Sequence, residues 1–281
     1  MAEDDFDISE APVSSSGGKF KIKLETLIPI LIIVAVVLFL VFKTNIFSEG
    51  TNIFGGQKAS ILVIGSPTPE LTSILKDFEN KDLIKEARQL SASDLVHNPK
   101  DRIKNYDIII LDQSMSLDKS ISRTTGEAIT SFVQSGGSLI VVLNSGIERT
   151  GDASVIGWKA TFGDIVPVTC EASIFSVPSC KQTLRVNGTI FANRYDSKQG
   201  GYKIMYGIEK VPAMESFGLI STEAYPVHAE GTEIAYLLDA RTGMTYTAIV
   251  EKPLLLGKVI YFNFNPGLSE AILINTIKYL S

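Results

Sequence analysis

The tripeptide Asn144-Ser145-Gly146 places a hydroxyl side chain in a sharp turn directly after the apolar run Leu139 to Leu143. Such a run predicts a buried strand. The carboxyl ends of buried strands are where open α/β sheets usually place their chemistry. A serine nucleophile also needs a base, and the chain has two histidines, His97 and His228. One hypothesis is therefore a hydrolase of the cell envelope that uses Ser145 and His228.

The residues around Ser145 favour an inert turn instead. Serine nucleophiles in such turns stand in Gly-x-Ser-x-Gly, whereas Leu143 and Ile147 occupy the glycine positions here. A hydroxyl without a placed base is a poor nucleophile at neutral pH. We therefore predict that the protein is not an enzyme. Asn144, Ser145 and Asp112 remain candidates for lining a ligand groove at the ends of the predicted strands.

Charge and residue types exclude several other kinds of site. The net charge is −5, and no dense basic stripe interleaved with aromatic residues is present, which argues against a nucleic-acid partner. Metal sites need several histidines, cysteines or carboxylates at close spacing, and two isolated histidines do not supply them. We therefore predict no metal and no cofactor.

The two cysteines, Cys170 and Cys180, stand ten positions apart in a segment that contains proline and serine. In an oxidising compartment they are expected to form a disulfide; the alternative is two buried free thiols. The sequence Asn187-Gly188-Thr189 is a glycosylation sequon, so Asn187 is a candidate glycosylation site on an exported chain.

The uncharged segment Leu27 to Phe42 is long enough to cross a bilayer and predicts a transmembrane helix within residues 24–43. The alternative is a secretory signal peptide, but no small-x-small cleavage site follows it. Three lysines between positions 19 and 23 place the N-terminal tail, residues 1–23, in the cytoplasm. Residues 44–58 are predicted to form a linker. The protein is then a single-pass cell-membrane protein with its large domain outside the cytoplasm.

Residues 59–281 alternate apolar strands with amphipathic helices. Ile61 to Ile64 and Tyr106 to Leu111 have the continuous apolar character of strands that are covered on both faces. Thr68 followed by Pro69 predicts the start of the intervening helix. This alternation predicts an α/β fold with a parallel doubly wound, flavodoxin-like sheet, interrupted by a β-rich insertion at about 158–210.

Four stretches carry a resemblance to a known family: YDIIILDQ, FVQSGGSLIVV, WKATFGDIVPV and GKVIYFNFNPG. Together they resemble the class I glutamine amidotransferase-like superfamily, in particular its non-catalytic, membrane-anchored branches. The resemblance implies an amidotransferase-like sheet. Catalytic members carry a nucleophilic cysteine in a tight strand-to-helix turn, and the matching turn here is Asn144-Ser145-Gly146, which has none.

The resemblance implies an extracytoplasmic binding or scaffolding module with a degenerate amidotransferase-like domain. Its expected partners are the membrane and a protein component of an envelope or transport assembly. Besides the hydrolase hypothesis, a carbohydrate-binding domain is a second alternative. It requires the exposed side of Trp158 to line one groove with Tyr202 and Tyr206.

Overall fold

The computed structural model describes residues 58–170, 179–181, 183–193, 203–212 and 219–281. Its five helices are α1 (Pro69–Asn80), α2 (Pro99–Ile103), α3 (Arg123–Gln134), α4 (Trp158–Phe162) and α5 (Glu270–Leu280). Its strands are β1 (Ser60–Gly65), β2 (Glu86–Leu90), β3 (Ile108–Asp112), β4 (Ser120–Ile121), β5 (Ser138–Val142), β6 (Glu148–Arg149), β7 (Asp152–Ile156), β8 (Val168–Cys170), β9 (Leu184–Ala192), β10 (Lys210–Val211), β11 (Ile220–Ala224), β12 (Val227–Ala229), β13 (Thr232–Asp239), β14 (Thr245–Leu254) and β15 (Gly257–Phe262).

One large sheet dominates the described structure. Its strand order is β10-β9-β13-β14-β15-β5-β3-β1-β2, and β11 pairs with β9. The five strands from β2 to β15 run parallel to one another. From β14 onward the neighbours are antiparallel. Two small sheets, β12-β8 and β4-β6-β7, lie outside it.

Alternate residues of the buried strands pack into two separate apolar cores. In β1, Ile61 and Val63 face a core that includes residues of α1 and α5. Leu62 and Ile64 face the other core, to which α3 and α4 contribute. Both faces of the parallel strands are therefore covered, and this explains why their sequences are continuously apolar rather than alternating.

Side-chain caps of threonine and serine fix where α1 and α3 begin. The Thr68 side chain accepts a hydrogen bond from the Leu71 backbone N–H at 3.4 Å, and Pro69 takes the first helical position, so the predicted start of α1 is confirmed. Ser122 caps α3 in the same way, accepting from the Thr125 N–H at 3.1 Å. These caps set the registers from which α1 and α3 present their apolar faces to the sheet.

The predicted fold class is wrong in one respect: the sheet is mixed rather than parallel and doubly wound. Of the strands within or at the end of the predicted β-rich insertion, β9 and β10 join the large sheet, whereas β8 pairs with β12 outside it. The reason lies in the connections. Leu255 and Leu256 alone join β14 to β15, and a two-residue link allows only antiparallel pairing, whereas parallel neighbours need a long crossover.

The described structure does not support the predicted membrane-anchored, extracytoplasmic location. No helix in the part of the chain that the structure describes is long and apolar enough to cross a membrane. The segment on which the prediction rested, Leu27 to Phe42, lies outside the described residues, as do the predicted tail and nearly all of the predicted linker.

Candidate functional site

The carboxyl ends of β1, β3 and β5 meet at one edge of the sheet, where the sequence places its candidate residues. β1 pairs with β2 on one side and with β3 on the other, so consecutive strands diverge here. Such switch points leave a crevice in which open α/β sheets usually bind ligands. Asp112, the last residue of β3, lies opposite Gly65 of β1. We call Asp112, Gln113, Ser145 and Gly146 the sheet-edge corner.

Ser145 is fully buried in the sheet-edge corner. Its Oγ accepts a hydrogen bond from the Gln113 backbone N–H at 2.8 Å, and the Gln113 side-chain Oε1 accepts from the Gly146 N–H at the same distance. The Ser145 carbonyl accepts from Trp158 Nε1 at 2.9 Å. Ser145 therefore ties the turn after β5 to the turn after β3, and its hydroxyl is not accessible to a substrate.

Asn144 and His228, the other residues named for this turn, do not provide an accessible nucleophile with a base beside it. Asn144 is half-buried in the turn, and its carbonyl accepts from the Ile147 N–H. His228 is exposed on β12, opposite Thr169 of β8. The geometry thus supports a structural role for Ser145, and it gives no support to a serine hydrolase at this turn.

Asp112 is the one acid of the sheet-edge corner, and it is fully buried. Its Oδ1 accepts from the backbone N–H and the hydroxyl of Ser114, whereas Oδ2 makes no hydrogen bond of normal geometry with described residues. Burial raises the pKa of Asp112, against the opposing effects of Ser114 and the Lys119 charge. Burial of Asp112 thus disfavours its charged form relative to an exposed aspartate.

Lys119 lies beside Asp112 and caps the loop that follows β3. Its Nζ donates to the carbonyl oxygens of Gln113 and Ser114. Burial lowers the pKa of Lys119, and the carboxylates of Asp112 and Glu223 act in the opposite direction. Because the Lys119 ammonium group donates to two backbone carbonyls of the loop, its role is structural.

The aromatic groove expected for carbohydrate binding is not formed as predicted. Trp158 is only 2% exposed, and its ring packs edge-to-face against Tyr261 with centroids 5.5 Å apart. Tyr206 is 66% exposed, and its carbonyl accepts from Asn275 of α5. Tyr202 lies outside the described residues. Because the Trp158 ring is buried, it offers no face to a sugar. The sequence does not show which aromatic rings are covered, so the prediction of an exposed Trp158 was wrong.

Cys170 and Cys180 are joined in the structure, with Cα atoms 5.4 Å apart, which is within the usual range for a disulfide. Asn187 is exposed on β9, where it pairs with Ser221 of β11. Glycosylation at Asn187 stays a prediction. No group of three or more histidines, cysteines or carboxylates within the described ranges is placed to hold a metal ion.

A cleft between α3 and α4 is the feature that the sequence did not reveal. Its volume is about 470 Å³, which is within the size range of small-molecule sites. The lining combines charged, hydroxyl and aromatic side chains from α3, β6 and α4: Arg123, Glu127, Thr130, Ser131, Arg149, Ala160, Thr161, Phe162 and Gly163. We call this set the α3–α4 cleft.

Two buried polar atoms in the α3–α4 cleft have no partner. Arg149 Nε and Thr161 Oγ1 make no hydrogen bond with any described residue. Together with Asp112 Oδ2 they are the three buried side-chain atoms in the described ranges that lack one. Buried polar groups are nearly always satisfied, so each such exception calls for an explanation. Two of the three exceptions belong to residues that line this cleft, and both atoms are buried beneath its surface.

The walls of the cleft are held together closely. A Cβ atom on Gly126 of α3 would lie 2.2 Å from the Thr161 carbonyl oxygen of α4, so only glycine permits this approach. Thr130 Oγ1 donates to the Phe162 carbonyl at 3.1 Å, and Arg149 Nη2 donates to the Ala160 carbonyl. A glycine inside the predicted helix α3, Gly126, could have indicated a close contact with another element. The sequence does not show which element makes that contact.

No family model matches the chain, and no curated protein matches it. Two solved β-galactosidases, from Bacillus circulans sp. alkalophilus and Rahnella sp. R3, each match with a TM-score of 0.52, at 13% and 14% identity. Each match covers 79% of this chain but only 30% and 31% of the enzyme. A catalytic mutant of Gan42B, a GH42 β-galactosidase from G. stearothermophilus, matches with a TM-score of 0.50 at 13% identity, covering 79% of this chain and 29% of that one.

These comparisons correct the family and function that the sequence predicted. The fold is shared with about a third of a β-galactosidase, and the predicted amidotransferase-like family is not supported. The predicted non-enzymatic scaffolding module finds no support either, since the solved structures with which the fold is shared are enzymes. At such low identity the likeness shows the fold alone, and this chain spans only part of their length.

Proposed function

We propose that this chain is a carbohydrate-active protein that binds a saccharide in the α3–α4 cleft. The observation that carries the proposal is the lining of a cleft of about 470 Å³, to which two arginines, one glutamate and three hydroxyl residues contribute. The likeness of the fold to β-galactosidases supports a carbohydrate over other polar ligands of this size.

The chemistry of the lining matches that of a sugar. Each sugar hydroxyl both donates and accepts hydrogen bonds, so a site for it needs donors and acceptors close together. Arg123 and Arg149 are donors, the Glu127 carboxylate is an acceptor, and the Thr161 hydroxyl can act as either. The Arg123 and Glu127 side chains are paired at 2.9 Å and largely exposed at the cleft mouth, where both can turn toward a ligand.

Cleavage of a glycosidic bond normally uses two carboxyl groups that flank the bond. Glu127 is the one carboxylate in the lining contributed by described residues. The cleft therefore supports saccharide binding by itself, and a cleavage step there requires a second carboxyl group from outside the lining.

A glycan array probed with the full chain tests the proposal. Ser131 lines the cleft from α3, so Ser131→Trp fills it, whereas Gln134→Trp places the same side chain on the same helix outside the lining. We expect the wild type and Gln134→Trp to bind the same glycans and Ser131→Trp to lose at least tenfold in signal. Binding that survives Ser131→Trp, or no glycan binding by the wild type, would contradict the proposal.

A further inference from the structure

Strand β2 forms one edge of the large sheet. Among the described strands it pairs only with β1, in five consecutive residue pairs without a bulge. Edge strands present unpaired N–H and carbonyl groups to which another strand can bond, and many are protected by a bulge or a proline. β2 contains no proline and is regular along its length. Its outer side can therefore accept a further strand.

Two residues of β2 direct their backbone groups away from β1. The Ser60 carbonyl accepts from the Asp107 N–H, just before β3, so the backbone of the next residue, Ile61, faces β2. Ile61 lies opposite Ala87, and in a parallel ladder it bonds to the two residues that flank its partner. Ala87 and, two positions on, Gln89 therefore point their N–H and carbonyl groups outward. Outside this ladder, no bond joins their backbone to a described residue.

The side chains of β2 carry opposite charges two positions apart. Glu86 and Arg88 lie on the same face of the strand, where Arg88 Nε donates to Glu86 Oε2 at 2.7 Å. If a second copy of β2 pairs antiparallel with Ala87 opposite its own copy, each Glu86 lies opposite an Arg88 of the other copy. The two nearest registers that use the same outward groups, centred on Glu86 or on Arg88, place like charges directly opposite each other, which is destabilising. Charge therefore selects the register centred on Ala87.

We propose that two copies of this chain associate through β2 and form one continuous sheet across a twofold axis at Ala87. The two Ala87 residues exchange N–H to carbonyl hydrogen bonds, and the Gln89 N–H donates to the Lys85 carbonyl of the other copy. Because both copies use the same edge, the assembly closes as a dimer. The inference is independent of saccharide binding, since β2 contributes no residue to the α3–α4 cleft.

Sedimentation equilibrium of the full chain at a series of concentrations, with charge-exchange variants, tests the proposal. We expect the wild type to dimerise and both Arg88→Glu and Glu86→Arg to be monomeric, because each variant places like charges opposite each other. An equimolar mixture of the two variants restores opposite charges at every pair and is expected to form heterodimers. The Glu86–Arg88 pair is at the surface, where ion pairs contribute little to stability, so both variants should fold.

Arg185→Glu makes the same charge change at an exposed position on β9 and is expected to leave the dimer intact. A wild type that stays monomeric would overturn the proposal. Dimers that persist in both β2 variants, or a mixture of them that stays monomeric, would also overturn it.

A cysteine at the twofold axis tests the register directly. Ala87→Cys places two thiols on a hydrogen-bonded antiparallel pair, whose Cα atoms lie about 5.5 Å apart, within the range for a disulfide. The two native cysteines are already joined to each other. We expect oxidised Ala87→Cys to run as a linked dimer on a non-reducing gel. The control is Gln89→Cys, whose two copies are about 13 Å apart along the strands and should not link. No link through Ala87→Cys, or an equal link through Gln89→Cys, would overturn the register.

Discussion

Ser145 of the sheet-edge corner and Thr161 of the α3–α4 cleft are both buried hydroxyl residues, but only the Ser145 hydroxyl has a hydrogen-bond partner among the described residues. In the sheet-edge corner, Ser145 Oγ accepts from the Gln113 N–H, Gln113 Oε1 accepts from the Gly146 N–H, and Ser145 has no exposed surface. In the cleft, Thr161 and Arg149 hold buried atoms that lack partners, beside an open volume of about 470 Å³. The comparison teaches that a polar residue at the end of a buried strand cannot bind a ligand when neighbouring residues already take up its hydrogen bonds and cover its surface.

Helix α4 connects the two regions. At its start, Trp158 donates to the Ser145 carbonyl of the sheet-edge corner. At its end, Phe162 lines the cleft, and its ring lies where a Cβ atom on Gly146 would fall. The tightly packed corner therefore acts as the support against which the cleft wall is held.

The largest expected effect comes from adding one methyl group to the sheet-edge corner. Gly146 has φ of +69°, and an added Cβ would lie 2.7 Å from the Phe162 ring and 2.8 Å from Leu111. Gly146→Ala combines left-handed strain with overpacking and should lower the free energy of unfolding by about 2 to 5 kcal/mol. Urea unfolding of the full chain, followed by circular dichroism, measures it.

Gly243, in the turn between β13 and β14, provides the control. Its φ is +70°, almost the same, but nothing lies within 4 Å of an added Cβ. Gly243→Ala should therefore cost only the backbone strain, about 1 to 2 kcal/mol. Equal losses for the two alanine variants would show that the sheet-edge corner is not packed as tightly as the structure indicates.

A smaller difference is expected between two serines. Ser145→Ala leaves the buried Gln113 N–H without its acceptor and should cost about 1 to 3 kcal/mol of unfolding free energy. Ser131→Ala removes a hydroxyl at the cleft, whose bond to the Glu127 carbonyl is exposed, and should change stability by no more than about 0.5 kcal/mol. Thermal unfolding of both variants checks the order, and a Ser131→Ala loss as large as that of Ser145→Ala would refute it.

The smallest expected effect is a change in pH dependence at Asp112. Because burial raises the pKa of Asp112 above its usual 3.8, the folded state holds the proton more tightly than the unfolded chain does. This acid's contribution to stability is therefore full at low pH and is lost as pH rises from about 4 through the folded pKa. Asp112→Asn cannot ionise, so its melting temperature relative to wild type should rise between pH 4 and pH 8. A difference that is constant or falls over this range would mean that Asp112 is charged in the fold.

The local structure around the strands could be predicted from sequence because its causes are local. The apolar runs at Ile61 to Ile64 and Leu139 to Val142 lie in buried strands, and Thr68 caps α1 as its position before Pro69 indicates. These features depend on side-chain type and on hydrogen bonds within a few residues. The mixed sheet was not predicted, since whether a strand pairs parallel or antiparallel depends on the path of the chain between strands.

The sequence by itself determined where buried strands lie, how α1 begins and that no cysteine stands in the turn at Ser145. Only the tertiary structure decided that Ser145 is buried, that Trp158 packs against Tyr261, and that Arg149 and Thr161 line one cleft. Those residues are brought together from β6 and α4, and whether their polar atoms are satisfied depends on every neighbour that approaches them. The candidate site therefore depends on how strands and helices pack against one another, and no single residue determines it.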